Sequence, residues 1–241
     1  MELYTAEDLD VYGVVDLGQA VGTAYGPASL LLTGRDGLHV SRMVKRALIL
    51  GVAYTGASVL DLRLTPKLVL DDHLSRQGEG GLYVDYSPSR ICISLNGKTA
   101  EERMQEIFRI LESKEFVRAP LSDLGAISLY PNAIDDYVNA LHKRVDFLKS
   151  LDVLVDGRNQ PIAVLMPPLL ESYGMRVDTF NDRVTHYQEP MGEEKFMTRF
   201  QGGRYDLAIR CREDRFDLYR KEGGRSTYDG LAGLIQALES L

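Results

Sequence analysis

The chain has 241 residues, of which 44% are hydrophobic and 26% charged, a composition typical of globular proteins that build a substantial core. Lys and Arg number 28 against 35 Asp and Glu, which gives a formal net charge of −7. This acidic balance argues against a general nucleic-acid-binding protein, because such proteins need a basic surface for phosphates. The acidic N-terminus is not a signal peptide and no apolar run is long enough to span a membrane, so we expect a cytoplasmic protein without a membrane partner.

Helices and strands alternate along the first half of the chain. Apolar residues at helical spacing predict a helix over residues 5–24, with Thr5 and Asp8 in capping positions. The next elements are a strand over 29–33, a helix over 41–54, a strand over 58–64, a helix over 66–75, strands over 80–86 and 91–95, and a helix from 99 to about 113. In the helix over 41–54, the pattern places Leu50 towards the core and Lys45 towards solvent. This alternation predicts a mainly parallel sheet with helices on its faces.

The second half repeats the alternation. It predicts a helix over 131–149, a strand over 153–155, a helix over 163–172 interrupted at Pro167 and Pro168, a strand over 175–179, a β-hairpin formed by 205–210 and 216–219, and a helix over 229–241. The order strand, Gly-Arg, helix, Gly, strand occurs around Gly34-Arg35 and again around Gly157-Arg158. We therefore predict two related α/β domains, residues 1–125 and 126–241, each a mixed sheet flanked by helices.

Several motifs resemble those of the α-D-phosphohexomutases, the family of phosphoglucomutases and phosphomannomutases. LLTGRD at 31–36, followed by a helix, is similar to their GRD…SS strand and helix, and LTP at 64–66 resembles their TP turn. GGLYVDYS at 80–87 resembles the strand that carries the phosphorylated serine, and NG at 96–97 resembles the turn after it. DLAIRCREDR at 206–215 falls where the family has its metal-binding loop. The motifs agree in order and spacing, and they imply the first two domains of the phosphohexomutase fold.

The departures from the family pattern fall on the residues that carry chemistry. Ser87 keeps the nucleophile position, but it is followed by Pro-Ser-Arg where the family has His-Asn-Pro. The family's three metal-binding aspartates align with Arg210, Arg212 and Asp214. A guanidinium group stays protonated and offers no acceptor, so two of the three Mg²⁺ ligands implied by the resemblance are not retained. We therefore expect Ser87 to be a vestigial nucleophile and the chain to hold no metal cofactor.

The chain also ends where the family's second domain ends, and it has no counterpart of the glycine-rich loop that precedes the family's first helix. The family's third and fourth domains recognise the sugar and its phosphate. Without them we expect no ordinary mutase turnover. Surfaces that face those domains in the family would be uncovered here, which predicts either a homo-oligomer or a protein partner.

Two candidate binding groups each have a second interpretation. Arg35 and Asp36 form either an ion pair at a strand end or a ligand contact. Arg210, Arg212 and Arg215, with Asp214 beside them, form either a site for a phosphate, sugar phosphate or carboxylate or a face paired with Glu213, Asp214 and Asp217. Three functions follow from these alternatives: a protein-interaction or regulatory module, a sugar-phosphate or anion binder, and a phosphotransferase completed by another chain or using metal-free chemistry.

Overall fold

The computed structural model describes residues 2–6, 10–87, 90–97, 100–143, 148–185, 189–212 and 214–241. Side chains are described for these residues except 2–6, 87 and 90–92. The chain divides into two compact units, Met1–Ile134 and Asp135–Leu241. Among the described residues, no helix is both long enough and apolar enough to cross a membrane.

The first unit is one mixed sheet flanked by helices. Its strands are β1 (Glu2–Ala6), β2 (Leu30–Arg35), β3 (Ser58–Leu64), β4 (Gly80–Ser87), β5 (Arg90–Asn96) and β6 (Ile127–Leu129). Its helices are α1 (Val11–Tyr25), α2 (His39–Tyr54), α3 (Lys67–Arg76) and α4 (Ala100–Ser113), with a 3-10 turn at Leu121–Asp123. The strand order is β1-β5-β4-β2-β3-β6. Strands β4, β2, β3 and β6 run parallel to one another, β5 is antiparallel to β4, and β1 is antiparallel to β5.

The core of the first unit lies between the sheet and helices α1, α2 and α4. Helices α1 and α2 approach each other closely at two glycines. A Cβ atom on Gly51 would lie 2.2 Å from the carbonyl oxygen of Val15, and one on Gly18 would lie 2.2 Å from that of Leu48. Only glycine permits this backbone approach, so these two positions fix how the helices pack.

The second unit repeats this architecture with a different sheet. Helix α5 (Ala133–His142) begins at the division between the units. The remaining elements are β7 (Asp152–Asp156), α6 (Ile162–Ser172), β8 (Arg176–Phe180), α7 (Glu193–Gly202), β9 (Leu207–Arg212), β10 (Arg215–Arg220), β11 (Arg225–Asp229) and α8 (Gly230–Glu239). The strand order is β11-β10-β9-β7-β8. Strands β9, β7 and β8 run parallel to one another, β10 is antiparallel to β9, and β11 is antiparallel to β10. The predicted α/β fold, two mixed sheets flanked by helices, is confirmed.

The boundaries of several elements differ from the prediction. Helix α1 begins at Val11, where the Asp10 carboxylate accepts a hydrogen bond from the Gly13 amide at 2.8 Å, because residues 2–6 form a strand that pairs with β5. Helix α6 continues through Pro167 and Pro168, since its buried apolar face holds it against the sheet despite the missing amides.

Helix α5 ends at His142, and residues 144–147 lie outside the described part. Strand β6 pairs with β3, so the units divide C-terminal to residue 125.

The prediction for two residues of α2 was wrong. Leu50 is 57% exposed, whereas Lys45 is only 3% exposed and forms an ion pair with Asp61 on β3. The Asp61 carboxylate also accepts a hydrogen bond from the Arg63 amide at 2.7 Å. Burial lowers the pKa of Lys45, and the neighbouring Asp61 opposes that effect. Helical periodicity placed Lys45 outside because its partner is sixteen residues away along the chain.

Replacing Lys45 by Met should lower the free energy of unfolding by about 3–5 kcal/mol, because Asp61 is then left buried without its cation. Urea unfolding followed by circular dichroism measures the change. The matched control is Arg46→Met, which removes the same charge from an exposed position of α2 and should cost within about 0.5 kcal/mol. The double variant Lys45→Met/Asp61→Asn should recover part of the loss. Equal costs for Lys45→Met and Arg46→Met would contradict the assignment of Lys45 to the core.

Candidate functional site

Asp36 organises the carboxyl edge of the first sheet. It lies buried just after β2, and its carboxylate accepts hydrogen bonds from the Leu38 amide at 2.9 Å and the Tyr86 amide at 2.6 Å. Burial raises the pKa of Asp36. Each carboxylate oxygen of Asp36 therefore accepts a hydrogen bond from a backbone amide, one at the start of α2 and the other near the end of β4. The predicted Arg35–Asp36 ion pair is not formed; instead the Arg35 guanidinium donates to the Asp36 backbone carbonyl.

Ser87 is the last residue of β4, which runs parallel to β2. Its backbone pairs with Arg90 in β5. Because the Asp36 carboxylate holds the amide of Tyr86, the residue before Ser87, the strand end is fixed from the β2 side. The side chain of Ser87 lies outside the described part of the chain, so its role as a vestigial nucleophile stays a prediction.

The arginine positions that align with the family's metal loop belong to an ion-pair network in the second unit. Arg210 lies in β9 and is only 5% exposed. Its Nε lies 3.1 Å from Oδ2 of Asp156, which ends β7, and its Nη1 donates to the Glu193 carboxylate at the start of α7. The Asp156 carboxylate also accepts hydrogen bonds from the Asn181 amide group at 2.7 Å and the Arg158 backbone amide at 3.1 Å. Arg210 is therefore a buried linker between three elements.

Arg212 and Arg225 extend the network along the sheet. The Arg212 Nε lies 3.1 Å from Asp217 Oδ2, and its Nη2 lies 3.5 Å from Glu193 Oε2. Asp217, buried in β10, also accepts hydrogen bonds from Arg225 Nη2 at 2.9 Å and from the Thr227 hydroxyl at 2.8 Å. Three arginines thus meet three carboxylates, and the network is close to neutral.

The partners of these arginines differ from the predicted ones. Glu213, Asp214 and Asp217 were expected, and only Asp217 takes part; Glu213 lies outside the described part. Glu193 was not predicted as a partner because helix α7 was not predicted. The sequence GEEKF at 192–196 nevertheless has two acidic residues at a helix start. The Tyr219 hydroxyl donates to Glu193 at 2.9 Å, and this hydrogen bond holds the pKa of Glu193 below its ordinary value.

An open cleft of about 650 Å³ lies beside the network. It is lined by Arg158, Gln160, Arg212, Asp214, Arg215, Asp229 and Gly230. Arg158 follows β7 and Arg212 ends β9, so the cleft lies at the carboxyl edge of the parallel strands, where α/β proteins commonly bind ligands. Of the predicted binding residues, the structure brings Arg212, Asp214 and Arg215 together here, while Arg35 and Asp36 belong to the other unit.

Arg158 was not among the predicted site residues. It has a left-handed backbone, with φ of +50°, and Asn159 beside it has φ of +57°. Hydrogen bonds fix this turn: the Arg158 amide donates to Asp156 and the Asn159 amide donates to the Asn181 carbonyl at 2.6 Å. Within the described residues the Arg158 guanidinium makes no ion pair, in contrast to Arg215, whose Nε lies 3.1 Å from Asp229. The repeated Gly-Arg pattern was the sequence signal that could have identified it.

The residues at the family's metal position do not fit Mg²⁺. Mg²⁺ requires oxygen ligands, and positions 210 and 212 carry guanidinium groups. The nearby carboxylates of Asp156, Glu193 and Asp217 are each already engaged by an arginine. Across the described ranges, no group of three His, Cys, Asp or Glu side chains is placed to hold a metal ion.

Comparison with known proteins relates the chain to sugar-phosphate mutases. It is 31% identical over 175 residues to a phosphopentomutase of Thermococcus kodakarensis, covering 70% of this chain and 38% of that protein. It is 25% identical over 191 residues to a phosphoglucomutase/phosphomannomutase of the same organism, covering 73% and 42%. No protein-family model matches the chain.

Among solved structures, a phosphoglucomutase/phosphomannomutase family protein from Burkholderia thailandensis is similar in fold. The TM-score is 0.72 at 16% identity, and the match covers 91% of this chain and 53% of that one. The chain spans about two fifths of the two sequence relatives and about half of the structural neighbour. The resemblance drawn from the motifs is confirmed: the chain is a homologue of the phosphohexomutases and has their fold over about half of their length.

Proposed function

We propose that the chain binds a phosphorylated sugar at the arginine-lined cleft of its second unit and does not carry out mutase turnover by itself. The observation that carries this proposal is the cleft at the carboxyl edge of β7 and β9, lined by three arginines against two aspartates. A guanidinium group presents paired donors that match the oxygens of a phosphate. The names of the sequence relatives, phosphopentomutase and phosphoglucomutase/phosphomannomutase, support a sugar phosphate as the ligand class.

The three arginines of the cleft are unequally available to a ligand. Arg215 is largely exposed and shares its charge with Asp229, and Arg212 is 41% exposed and is held by Asp217 and Glu193. Arg158 makes no ion pair within the described residues and is fixed in place through its backbone. We therefore assign the main phosphate contact to Arg158, with Arg212 and Arg215 in support. Arg210 is buried and paired, so we assign it a structural role.

The positive charges at positions 210 and 212 disfavour mutase turnover. A transferring phosphoryl group needs cationic stabilisation of its oxygens by a positioned metal ion or arginine. In the phosphohexomutases that ion is Mg²⁺, and the residues at positions 210 and 212 would repel it rather than bind it. The runner-up hypothesis, a phosphotransferase completed by a second chain, requires another chain to supply both sugar recognition and metal ligands.

The purified chain should not convert glucose 1-phosphate or ribose 1-phosphate to the corresponding isomer in the presence of Mg²⁺. A coupled spectrophotometric assay measures this, with Ser87→Ala as the matched control. Both proteins should give the same background rate, and intact mass spectrometry should show no phosphoryl group on the wild-type chain. Turnover that disappears in Ser87→Ala, or an added phosphoryl group that disappears with it, would contradict the proposal.

Replacing Arg158 by Ala should weaken the binding of glucose 6-phosphate at the cleft at least tenfold, because one charge-assisted contact contributes about 1.5–3 kcal/mol. Isothermal titration calorimetry measures the affinity. The matched control is Arg204→Ala, which removes an exposed arginine just before β9, at the opposite edge of the same sheet. Arg204→Ala should leave the affinity unchanged. Equal effects of the two substitutions would show that binding follows overall charge, and the cleft would lose its assignment.

A further inference from the structure

The carboxyl edge of the first sheet carries a second group of arginines, on three adjacent elements. Arg35 is the last residue of β2, and its register partner on β3 is Leu64, the neighbour of Arg63. Arg42 lies in the first turn of α2, the helix that follows β2. The topology therefore brings Arg35, Arg42 and Arg63 to the same edge, near the point where β4 ends.

The buried ion pair fixes these elements relative to one another. Lys45 of α2 reaches Asp61 of β3, and Arg42 lies one helical turn before Lys45, towards the carboxyl edge. Burial lowers the pKa of Arg35, and Arg42 and Arg63 add to that effect while Asp36 and Asp61 oppose it. Arg42 and Arg63 each lie close enough to Arg35 for their positive charges to act on it.

The carboxylates at this edge do not neutralise the arginines. Asp36 spends its two oxygens on the backbone amides of Leu38 and Tyr86, and Asp61 is engaged by Lys45 and by the Arg63 amide. Within the described residues, none of the guanidinium groups of Arg35, Arg42 and Arg63 lies within ion-pair distance of a carboxylate. Among these side chains, the four cations Arg35, Arg42, Arg63 and Lys45 therefore meet the two carboxylates of Asp36 and Asp61. In the second unit, by contrast, Arg210, Arg212, Arg215 and Arg225 each form an ion pair with a carboxylate.

Arg63 also has a backbone conformation that disfavours a side chain. Its φ is +66°, in the left-handed region that glycine adopts without cost, and it lies in a strand where the pairing with β2 shifts register. The Asp61 carboxylate holds it there through the Arg63 amide. Left-handed backbone at a non-glycine residue is concentrated at functional sites, where the side chain is needed despite the strain.

We propose that Arg35, Arg42 and Arg63 form a second anion site, which binds the phosphate dianion of a small phosphate monoester. A phosphate dianion carries twice the charge of a carboxylate and suits a site with several guanidinium groups. The three tetrahedrally arranged oxygens can accept from more than one guanidinium at once. This site shares no residue with the cleft of the second unit and does not depend on the function proposed there.

The test is calorimetric titration of the full chain with inorganic phosphate. The wild-type chain should bind two phosphates, and Arg158→Ala should weaken one of them at least tenfold. In the Arg158→Ala background, Arg63→Gly and Arg42→Ala should each weaken the remaining phosphate at least tenfold. Arg118→Ala is the matched control, because Arg118 is an exposed arginine beside Ala119, whose amide donates to Tyr54 at the far end of α2. Arg118→Ala should leave the affinity unchanged, and acetate should bind the wild-type chain at least tenfold more weakly than phosphate.

The melting temperature separates binding from a structural role. Arg63→Gly relieves the left-handed strain and keeps the amide that Asp61 holds, so the Tm should stay unchanged or rise. A Tm that falls together with the affinity would show that Arg63 is structural and would overturn the proposal. One phosphate in the wild-type chain, abolished by Arg158→Ala, would also overturn it while leaving the cleft of the second unit intact. Arg158→Ala without effect, combined with loss in Arg63→Gly, would support this site and refute the function proposed for the cleft.

Discussion

Aspartates at the ends of parallel strands hold the carboxyl edges of both sheets by accepting hydrogen bonds from backbone amides. Asp36 after β2 binds the amides of Leu38 and Tyr86, and Asp61 near the end of β3 binds that of Arg63. Asp156 at the end of β7 binds the Arg158 amide in the same way. A buried carboxylate is stable only when its oxygens are satisfied, so these hydrogen bonds keep the strand ends and the turns after them in one conformation. An arginine lies near each of these aspartates: Arg35 directly precedes Asp36, and Arg63 and Arg158 each follow their aspartate by two residues.

The two units balance the charge of those arginines differently. In the second unit, Glu193 and Asp217 reach the arginines of β9 and β11, whereas Arg158 at the cleft forms no ion pair within the described residues. In the first unit, Asp36 and Asp61 accept hydrogen bonds from backbone amides and from Lys45, and within the described residues Arg35, Arg42 and Arg63 form no ion pair with a carboxylate. Exposed guanidinium groups lose little by staying hydrated, whereas a buried one such as Arg210 requires a partner. Burial therefore accounts for the pairing of Arg210, whereas Arg42 and Arg63 are exposed.

Local sequence pattern predicted the alternation of strands and helices well, because each buried strand and each amphipathic helix carries its own periodicity. It failed where distant residues decide the outcome. Lys45 was placed in solvent because its partner lies on another strand, and residues 2–6 were joined to a helix because their pairing strand lies far along the chain. The site shows the same limit: the arginines were found from their alignment with a metal loop, but Glu193 sits on a helix that the pattern did not reveal. The repeated Gly-Arg pattern includes Arg158, but it does not predict the left-handed backbone of this residue.

The chain is homologous to the mutases, but it does not keep their metal ligands. The charges of the ion-pair network in the second unit explain why a single substitution would not restore the metal position. Changing Arg210 alone to an aspartate would place a third carboxylate beside Asp156 and Glu193 and remove the cation that both of them contact. Three carboxylates without a cation are strongly unfavourable in a site with little solvent. An added Mg²⁺ would still meet the guanidinium of Arg212, which Asp217 and Glu193 hold near the same point. The arrangement of the network as a whole therefore does not fit a metal ion, and for this reason the ligand that we propose at its exposed rim is an anion.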